Sequence, residues 1–412
     1  MKFILISLNY SPELTGIGKY NAEMCTELAK DGFDVSAIVA PPYYPDWKVH
    51  KGYSKYKYSY SDEQGVDVIR CPLYVPKNVT TLKRILHLSS FAVSSGLVLV
   101  SKIFTRPDVV FLVQPTLFCA PLVLLFCKLT GAKSVMHIQD YEVDALFSLK
   151  LMGKGRISSL AKNIECWVMK RFDIISTISN SMMNNAKTKG VVEKNILYFP
   201  NWSDINFITP EINGGTLKKE WGYDSADRII LYSGNIGKKQ GLEIVLDAAQ
   251  AVRNEKNIKF ILVGTGAHFN HLRELSQKMG LSNLSFKPLM PWKRVPEMLA
   301  LADIHLVIQK KGIADVVLPS KLTNILAVGG YALVAAEKKS ELGQLNEMYP
   351  GIYKRIEPEC LDSFISGLNE LLTKNLCSYN SVARVYADRY LDKDKILSEF
   401  AKDLKSIAYK NK

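Results

Sequence analysis

Ile229-Ile230-Leu231-Tyr232-Ser233 runs directly into Gly234-Asn235-Ile236-Gly237-Lys238-Lys239-Gln240-Gly241, and a helical apolar period starts at Leu242. A short, near-continuous apolar run is the mark of a strand buried on both faces. Glycines between such a strand and a helix let the backbone approach a ligand closely and aim amides at an anion. Strand, glycine loop and helix in that order are the building unit of a parallel sheet covered by helices. Lys238 and Lys239 place ammonium groups beside those amides, which suits a diphosphate.

The same unit recurs on both sides of this stretch. Downstream, strands are expected at Lys259–Val263, Leu284–Lys287, Ile304–Ile308 and Ala332–Ala336, alternating with helical patterns. Gly264-Thr265-Gly266 follows the first of these. Gln309–Asn324 follows the third and ends on a helix start at Pro319-Ser320. Upstream, strands are expected at Phe3–Leu8, Val35–Ala40, Val66–Arg70, Val109–Val113, Ser134–Ile138, Ile174–Thr177 and Ile196–Phe199, again alternating with helices. The Asn-, Pro- and Gly-rich stretch 200–215 separates the two series. The expected fold is α/β: two Rossmann-like domains, 1–205 and 206–385, facing across a cleft, with C-terminal helices in 386–412 packing back on the first domain. In open parallel sheets ligands bind beyond the carboxyl ends of strands, so loops after strands hold the candidates.

In the first domain, Asn9–Gly18 joins the first strand to a helix, and Gly16 and Gly18 are candidate ligand contacts. The stretch is not G-x-G-x-x-G and no acidic residue closes the second strand, which argues against a nicotinamide dinucleotide. His137 and Gln139 share one strand face, and Asp140 begins the loop; all three are candidates for the reacting centre, against the plainer reading of a core histidine. In the second domain the candidates are Gly234, Asn235, Lys238, Lys239, Gly264, Gly266, Lys310, Asp315, Ser320, Lys321, Leu322 and Asn324.

Composition narrows the partners. The chain of 412 residues carries 53 Lys and Arg against 40 Asp and Glu, a formal charge of +13. That excess calls for nucleic acid, phosphorylated substrates or an anionic membrane. No like-charge tail is present. The Tyr/Lys-rich Lys48–Tyr60 reads better as a loop near the first cleft than as a nucleic-acid platform. Seven cysteines without a C-x-x-C pair fit a reduced cytosolic protein. No His/Cys cluster shows ligand spacing, so no metal is expected, and Asp392-Lys393-Asp394 reads as a helix N-cap. The uncharged run Ile85–Ser101, flanked by Lys77, Lys83, Arg84, Lys102 and Arg106, reads as a core helix or as an interfacial helix on an anionic bilayer.

Together these residues resemble the GT-B-fold glycosyltransferases of family 4. The likeness is carried by Asn9–Tyr20, Pro41-Pro42-Tyr43-Tyr44-Pro45, Cys71–Lys77, His137–Asp144, Phe199-Pro200-Asn201-Trp202, Ser233–Leu242 and Leu318–Gly330, and it runs over nearly the whole chain. The resemblance implies a retaining, metal-independent hexosyltransferase without a cofactor. It implies L-fucose transfer from GDP-L-fucose to a polyprenyl-diphosphate-linked sugar, at the cytoplasmic face of the inner membrane, for an exopolysaccharide of colanic acid type. The partners are then a nucleotide-sugar donor, a lipid-diphosphate-linked acceptor and the membrane surface, with no nucleic acid. Alternatives are a UDP-N-acetyl-L-fucosamine or other deoxysugar transferase of O-antigen assembly, and a sugar-nucleotide epimerase on the same fold. The chain departs from the family pattern in four places. Asn235 stands where the family has Arg, and Gln240, beside Lys239, where it has Lys. Val316 and Asn324 stand at the E-x(7)-E carboxylates, and Gln139 near the usual His. The diphosphate clamp is therefore assigned to Lys239 and Lys321, sugar or ribose contact to Asn324, and reacting-centre contact to Asp140 or His137.

Overall fold

The computed structural model describes residues 1–13, 16–44, 47–78, 80–141, 156–312, 319–374 and 377–409. The chain divides into two units, Met1–Pro200 with Lys395–Lys412, and Asn201–Asp394. The first boundary falls slightly before the expected 205. Helix Ser381–Tyr390 belongs to the second unit, so of the C-terminal helices only Lys393–Tyr409 lies essentially in the first.

The first unit holds β1 (Lys2–Ser7), β2 (Asp34–Val39), β3 (Ser59–Glu63), β4 (Val66–Arg70), β5 (Val109–Val113), β6 (Lys133–Ile138), β7 (Ile174–Thr177) and β8 (Ile196–Tyr198). Their order is β3-β4-β2-β1-β5-β6-β7-β8, parallel except for the β3–β4 hairpin. β3 was not expected: its side chains are mostly exposed and polar, so it lacks the apolar run that marks the central strands. β5 is buried at every position, which fits its unbroken Val-Val-Phe-Leu-Val. Chain order reverses between β1 and β5, and that switch point opens a crevice at their carboxyl ends.

Helix Thr81–Ser101 includes the uncharged run. One face is buried through His87, Leu88, Phe91, Ser94, Ser95, Val98 and Leu99. Its serines bury their hydroxyls by donating to carbonyls: Ser94 Oγ to Pro72 O (2.6 Å) and Ser95 Oγ to Phe91 O (2.6 Å). Gly96 lets it press on helix Ala120–Thr130, since a Cβ there would sit 2.3 Å from Leu122 Cδ2. The opposite face leaves Leu82, Ile85, Leu86, Val93, Leu97 and Val100 exposed. Among the described residues this is the one helix long and apolar enough to cross a membrane, and nearly half of it is packed into the fold.

The second unit holds β9 (Arg228–Ser233), β10 (Ile258–Val263), β11 (Leu284–Lys287), β12 (Ile304–Val307), β13 (Ala332–Ala335) and β14 (Lys354–Ile356). All neighbours are parallel in the order β11-β10-β9-β12-β13-β14. Relabelled in chain sequence this is 3-2-1-4-5-6, the doubly wound dinucleotide-fold order, with its switch point between β9 and β12. Alternate side chains of β9 feed opposite cores: Ile229 and Leu231 on one face, Ile230 and Tyr232 on the other. β14 escaped the sequence reading because Lys-Arg-Ile carries no strand pattern.

Candidate functional site

The switch point of the second unit gathers most of the expected donor residues. The loops after β9 and β10 interlock. Gly234 N–H donates to Val263 O (2.9 Å), Ile236 N–H to Thr265 O (2.8 Å) and His268 N–H to Ile236 O (3.0 Å). Gly264 and Gly266 make this possible. A Cβ on Gly264 would lie 1.9 Å from Gly234 O, and one on Gly266 2.4 Å from Ile236 O. Both have φ above +150°, as does little but glycine. Their expected role therefore changes: these glycines admit a neighbouring loop rather than a ligand. The amides of Gly234 and Ile236 are committed as described, and Gly237 N–H donates to Gln240 Oε1 (3.1 Å). Side-chain cations add to the loop amides that remain.

Those cations come from three segments. Lys310 N–H donates to Lys239 O (3.2 Å), which joins the loops after β9 and β12 across the switch point. The Lys310 stem covers Gly241, where a Cβ would meet its Cγ at 2.9 Å. Lys238 is exposed. Lys321, in the first turn of helix Ser320–Ala327, points its Nζ at the Tyr232 ring, 3.6 Å from the centroid. That Nζ is buried and has no hydrogen-bond partner among the described residues. It also lies beside Gly234, 3.5 Å from where a Cβ would be. Burial pulls the Lys321 ammonium down to about 7. A buried ammonium without partners costs several kcal/mol, while a cation–π contact returns about 2. Lys321 is thus a cation awaiting an anion, or one that sheds its proton.

Asn324 accepts a hydrogen bond from Ser203 Oγ at 2.9 Å. Ser320 begins the helix. Leu322 does not reach a ligand by its side chain: it is buried in the core with Ile325 and Leu326, and its N–H donates to Pro319 O. Asp315 lies outside the described residues, as does Val316.

In the first unit the structure corrects two expectations. Gly18 makes room for Glu13, since a Cβ there would lie 3.0 Å from Glu13 Cβ and 3.1 Å from its Oε2. The carboxylate thus occupies the helix start where an anionic ligand was expected. Glu13 is buried and accepts from Tyr43 N–H and Tyr44 N–H (3.0 Å each) and from Asn9 Nδ2 (2.8 Å). Burial raises its pKa against those hydrogen bonds. Glu13 carried no motif, and its role of bracing the Pro-Pro-Tyr-Tyr loop was missed. Gly16, with φ +63° and open space around it, precedes the helix.

His137 is the second correction. It is buried between Phe111 (5.3 Å) and Phe199 (5.4 Å). Gln139 Nε2 donates to its Nε2 (2.9 Å), so the ring proton sits on Nδ1 and donates to Ser176 Oγ (3.0 Å). Burial pushes it down to about 3, so the ring is neutral. It is a satisfied core histidine that positions Gln139, itself buried at the strand end. Asp140 follows, half-buried, and its charge acts on the Tyr44 hydroxyl after burial and Glu13 have done so.

The expectation that no cluster has metal-ligand spacing also fails. Glu243, His268 and His271 bring one ligand atom each within 4.8 Å of the others. The H-x-x-H spacing was the available signal. Its carboxylate partner lies 25 residues earlier, and only the sheet brings it close.

Two Rossmann-like sheets, the second with a basic, glycine-built switch point, have the architecture of a nucleotide-sugar transferase, and the chain belongs to the GT-B-fold glycosyltransferases. Residues 15–202 match the glycosyl transferase 4-like domain family, and residues 215–374 match glycosyl transferases group 1. The chain is 48% identical over 410 residues to WcaI of Escherichia coli (strain K12), assigned by name to colanic acid biosynthesis as a glycosyl transferase; the match covers 98% of this chain and 100% of that one. Its fold is shared with sucrose-phosphate synthase from Thermosynechococcus elongatus (12% identity, TM-score 0.74, 99% of both chains). It is also shared with Anabaena HepE, solved in complex with UDP-glucose (14% identity, TM-score 0.70, 98% of this chain and 100% of that one).

Proposed function

We propose that this glycosyltransferase moves L-fucose from GDP-L-fucose onto a polyprenyl-diphosphate-linked sugar in the assembly of a colanic-acid-type exopolysaccharide. The 48% identity to WcaI over nearly the whole chain supports the pathway. The observation that carries the donor site is Lys321, whose buried Nζ, without a hydrogen-bond partner among the described residues, sits beside the β9 loop at the switch point. In this reading Lys321 and Lys239 hold the diphosphate, with Lys238 and Lys310 adding longer-range attraction. Asn324, oriented by Ser203, contacts sugar or ribose. Asp140, after the end of β6, is the candidate for contact at the reacting centre, with Gln139, held by His137, next to it in the chain.

A nucleoside diphosphate is already a good leaving group, and fixed cations stabilise the charge it gains without divalent metal. Attack from the leaving group's own side lets the departing phosphate oxygen take the acceptor's proton, which retains the anomeric configuration. The acceptor's lipid places the reaction at the cytoplasmic face of the inner membrane, with the protein bound peripherally. The exposed apolar face of helix Thr81–Ser101, extended by Phe104, Leu125 and Leu129 and edged by Lys102, Arg106 and Lys128, has the composition of a surface that lies on anionic lipid. The test is a screen of nucleotide sugars with a lipid-diphosphate sugar acceptor, run with and without added Mg²⁺. Product mass identifies the sugar and NMR the anomer. Transfer of a different sugar in preference to fucose overturns the donor assignment.

A further inference from the structure

Glu243, His268 and His271 lie outside the contacts assigned to the donor, and nothing in the transfer reaction uses them. Glu243 opens the helix Glu243–Ala251 that follows the β9 loop. His268 immediately precedes the helix Phe269–Lys278 that follows the β10 loop, and His271 lies one turn along it. Glu243 Oε1 and His268 Nε2 are 2.7 Å apart. The rings of His268 and His271 stack, with centroids 4.5 Å apart and planes inclined by 25°. His268 is buried while His271 is exposed. One imidazole is therefore fixed by the fold, and the other is free to rotate toward it.

A hydrogen-bonded Glu–His pair accounts for two of these side chains and leaves the stacked His271 without a reason. Two imidazoles and a carboxylate form a donor set that borderline divalent ions take up, with water in the fourth position. We propose that Glu243, His268 and His271 bind one divalent ion of the Zn²⁺ class, which ties together the loops after β9 and β10. These are the loops already joined by the Ile236–His268 hydrogen bond and by Gly264 and Gly266. Glu243 is suited to the role by position: its Oε1 already meets His268 Nε2, and the three ligand atoms lie within 4.8 Å of one another. The ion replaces the Nε2 proton that His268 shares with Glu243, and the neutral ring then carries its proton on Nδ1. Tetrahedral coordination opens the Oε1–Nε2 separation to about 3.3 Å, a side-chain adjustment only.

The ion proposed here braces a loop and does not touch the donor diphosphate, so the inference holds whichever sugar is transferred. Full-length protein, stripped with chelator and dialysed, is titrated with Zn²⁺ by calorimetry and with Co²⁺ by visible absorption. The expected result is one equivalent bound more tightly than about 10 μM, with the intense Co²⁺ bands of a tetrahedral site. His271→Ala, at an exposed position, is expected to weaken binding about tenfold or more with an unchanged circular dichroism spectrum. Glu243→Gln serves as the second variant, and Cys377→Ser, which removes the exposed thiol, leaves binding intact. No saturable one-equivalent binding, or wild-type affinity in both ligand variants, overturns the proposal.

Discussion

Lys321 Nζ lies 3.6 Å from the centre of the Tyr232 ring and has no hydrogen-bond partner among the described residues. The tyrosine is held in turn, because its hydroxyl donates to Asn235 O at 2.7 Å. The pair keeps an ammonium in place at the switch point without neutralising it. Lys321→Met removes the charge and keeps the apolar stem. Donor or GDP affinity is expected to fall about 10- to 100-fold, the worth of one charge-assisted hydrogen bond. The melting temperature is expected to hold or rise, because a buried unpaired charge is removed. Calorimetric affinity and thermal melting read the two effects separately, and wild-type affinity for GDP refutes the clamp.

Proton linkage gives an independent check on the same residue. Burial places Lys321 at about 7 in the free protein. A bound diphosphate stabilises the charged form and raises that value. Above pH 7 the free side chain is largely neutral, so donor binding takes up a proton; well below pH 7 it does not. Affinity is therefore expected to decline as pH rises through about 7. Calorimetry in buffers of different ionisation enthalpy measures the uptake, which disappears in Lys321→Met.

Gly264→Ala is expected to destabilise the second unit by several kcal/mol. Its methyl carbon would fall 1.9 Å from Gly234 O, a backbone atom that cannot rotate away. Gly16→Ala meets open space and bears only the backbone strain of φ +63° and ψ −139°, about 1–3 kcal/mol. Thermal melts of the two variants should differ by many degrees; equal shifts would falsify the interlock.

Acid should weaken the first unit through His137. Its folded pKa is about 3, against about 6.5 when unfolded. The stability it permits is complete above pH 6.5 and is lost as pH falls toward 3, because only the unfolded chain takes up the proton. Each pH unit in that window costs about 1.4 kcal/mol. His305, held at about 4 by burial, does the same in the second unit. Denaturant melts at stepped pH, compared with His137→Gln, measure the His137 part, and a variant with the wild-type pH slope rules it out.

Val93→Glu and Leu97→Glu test the apolar helix face. Both side chains are exposed, so the fold should survive. Sedimentation with vesicles containing anionic lipid is expected to drop severalfold in each variant while GDP binding stays unchanged. Full vesicle binding by both variants removes the face from the docking surface.

The sheet cores were legible in the sequence because strands buried on both faces, such as Val109–Val113 and Ile229–Ser233, write themselves as apolar runs. β3 and β14 were not, because polar edge strands carry no such pattern. The loops after strands could be located because apolar strand runs mark where they begin, and the 3-2-1-4-5-6 order gives them a common switch point. What a glycine or histidine does there was not legible. Gly18 serves Glu13, Gly264 serves Gly234, and His137 serves Gln139, and each relation depends on close approaches and side-chain hydrogen bonds that spacing alone does not reveal.

The glycine interlock also bears on how this enzyme can diverge. Because the β9 and β10 loops share one seam, a β-carbon or an inserted residue in either must be answered by a change in the other. Single substitutions that reshape the backbone are closed to it. New donor preferences have to be sought through side chains outside the seam, such as exposed Asn235 and Lys238 or the start of helix Ser320–Ala327. Positions 235, 240 and 324, where the family resemblance expects other residues, are side-chain differences of that kind.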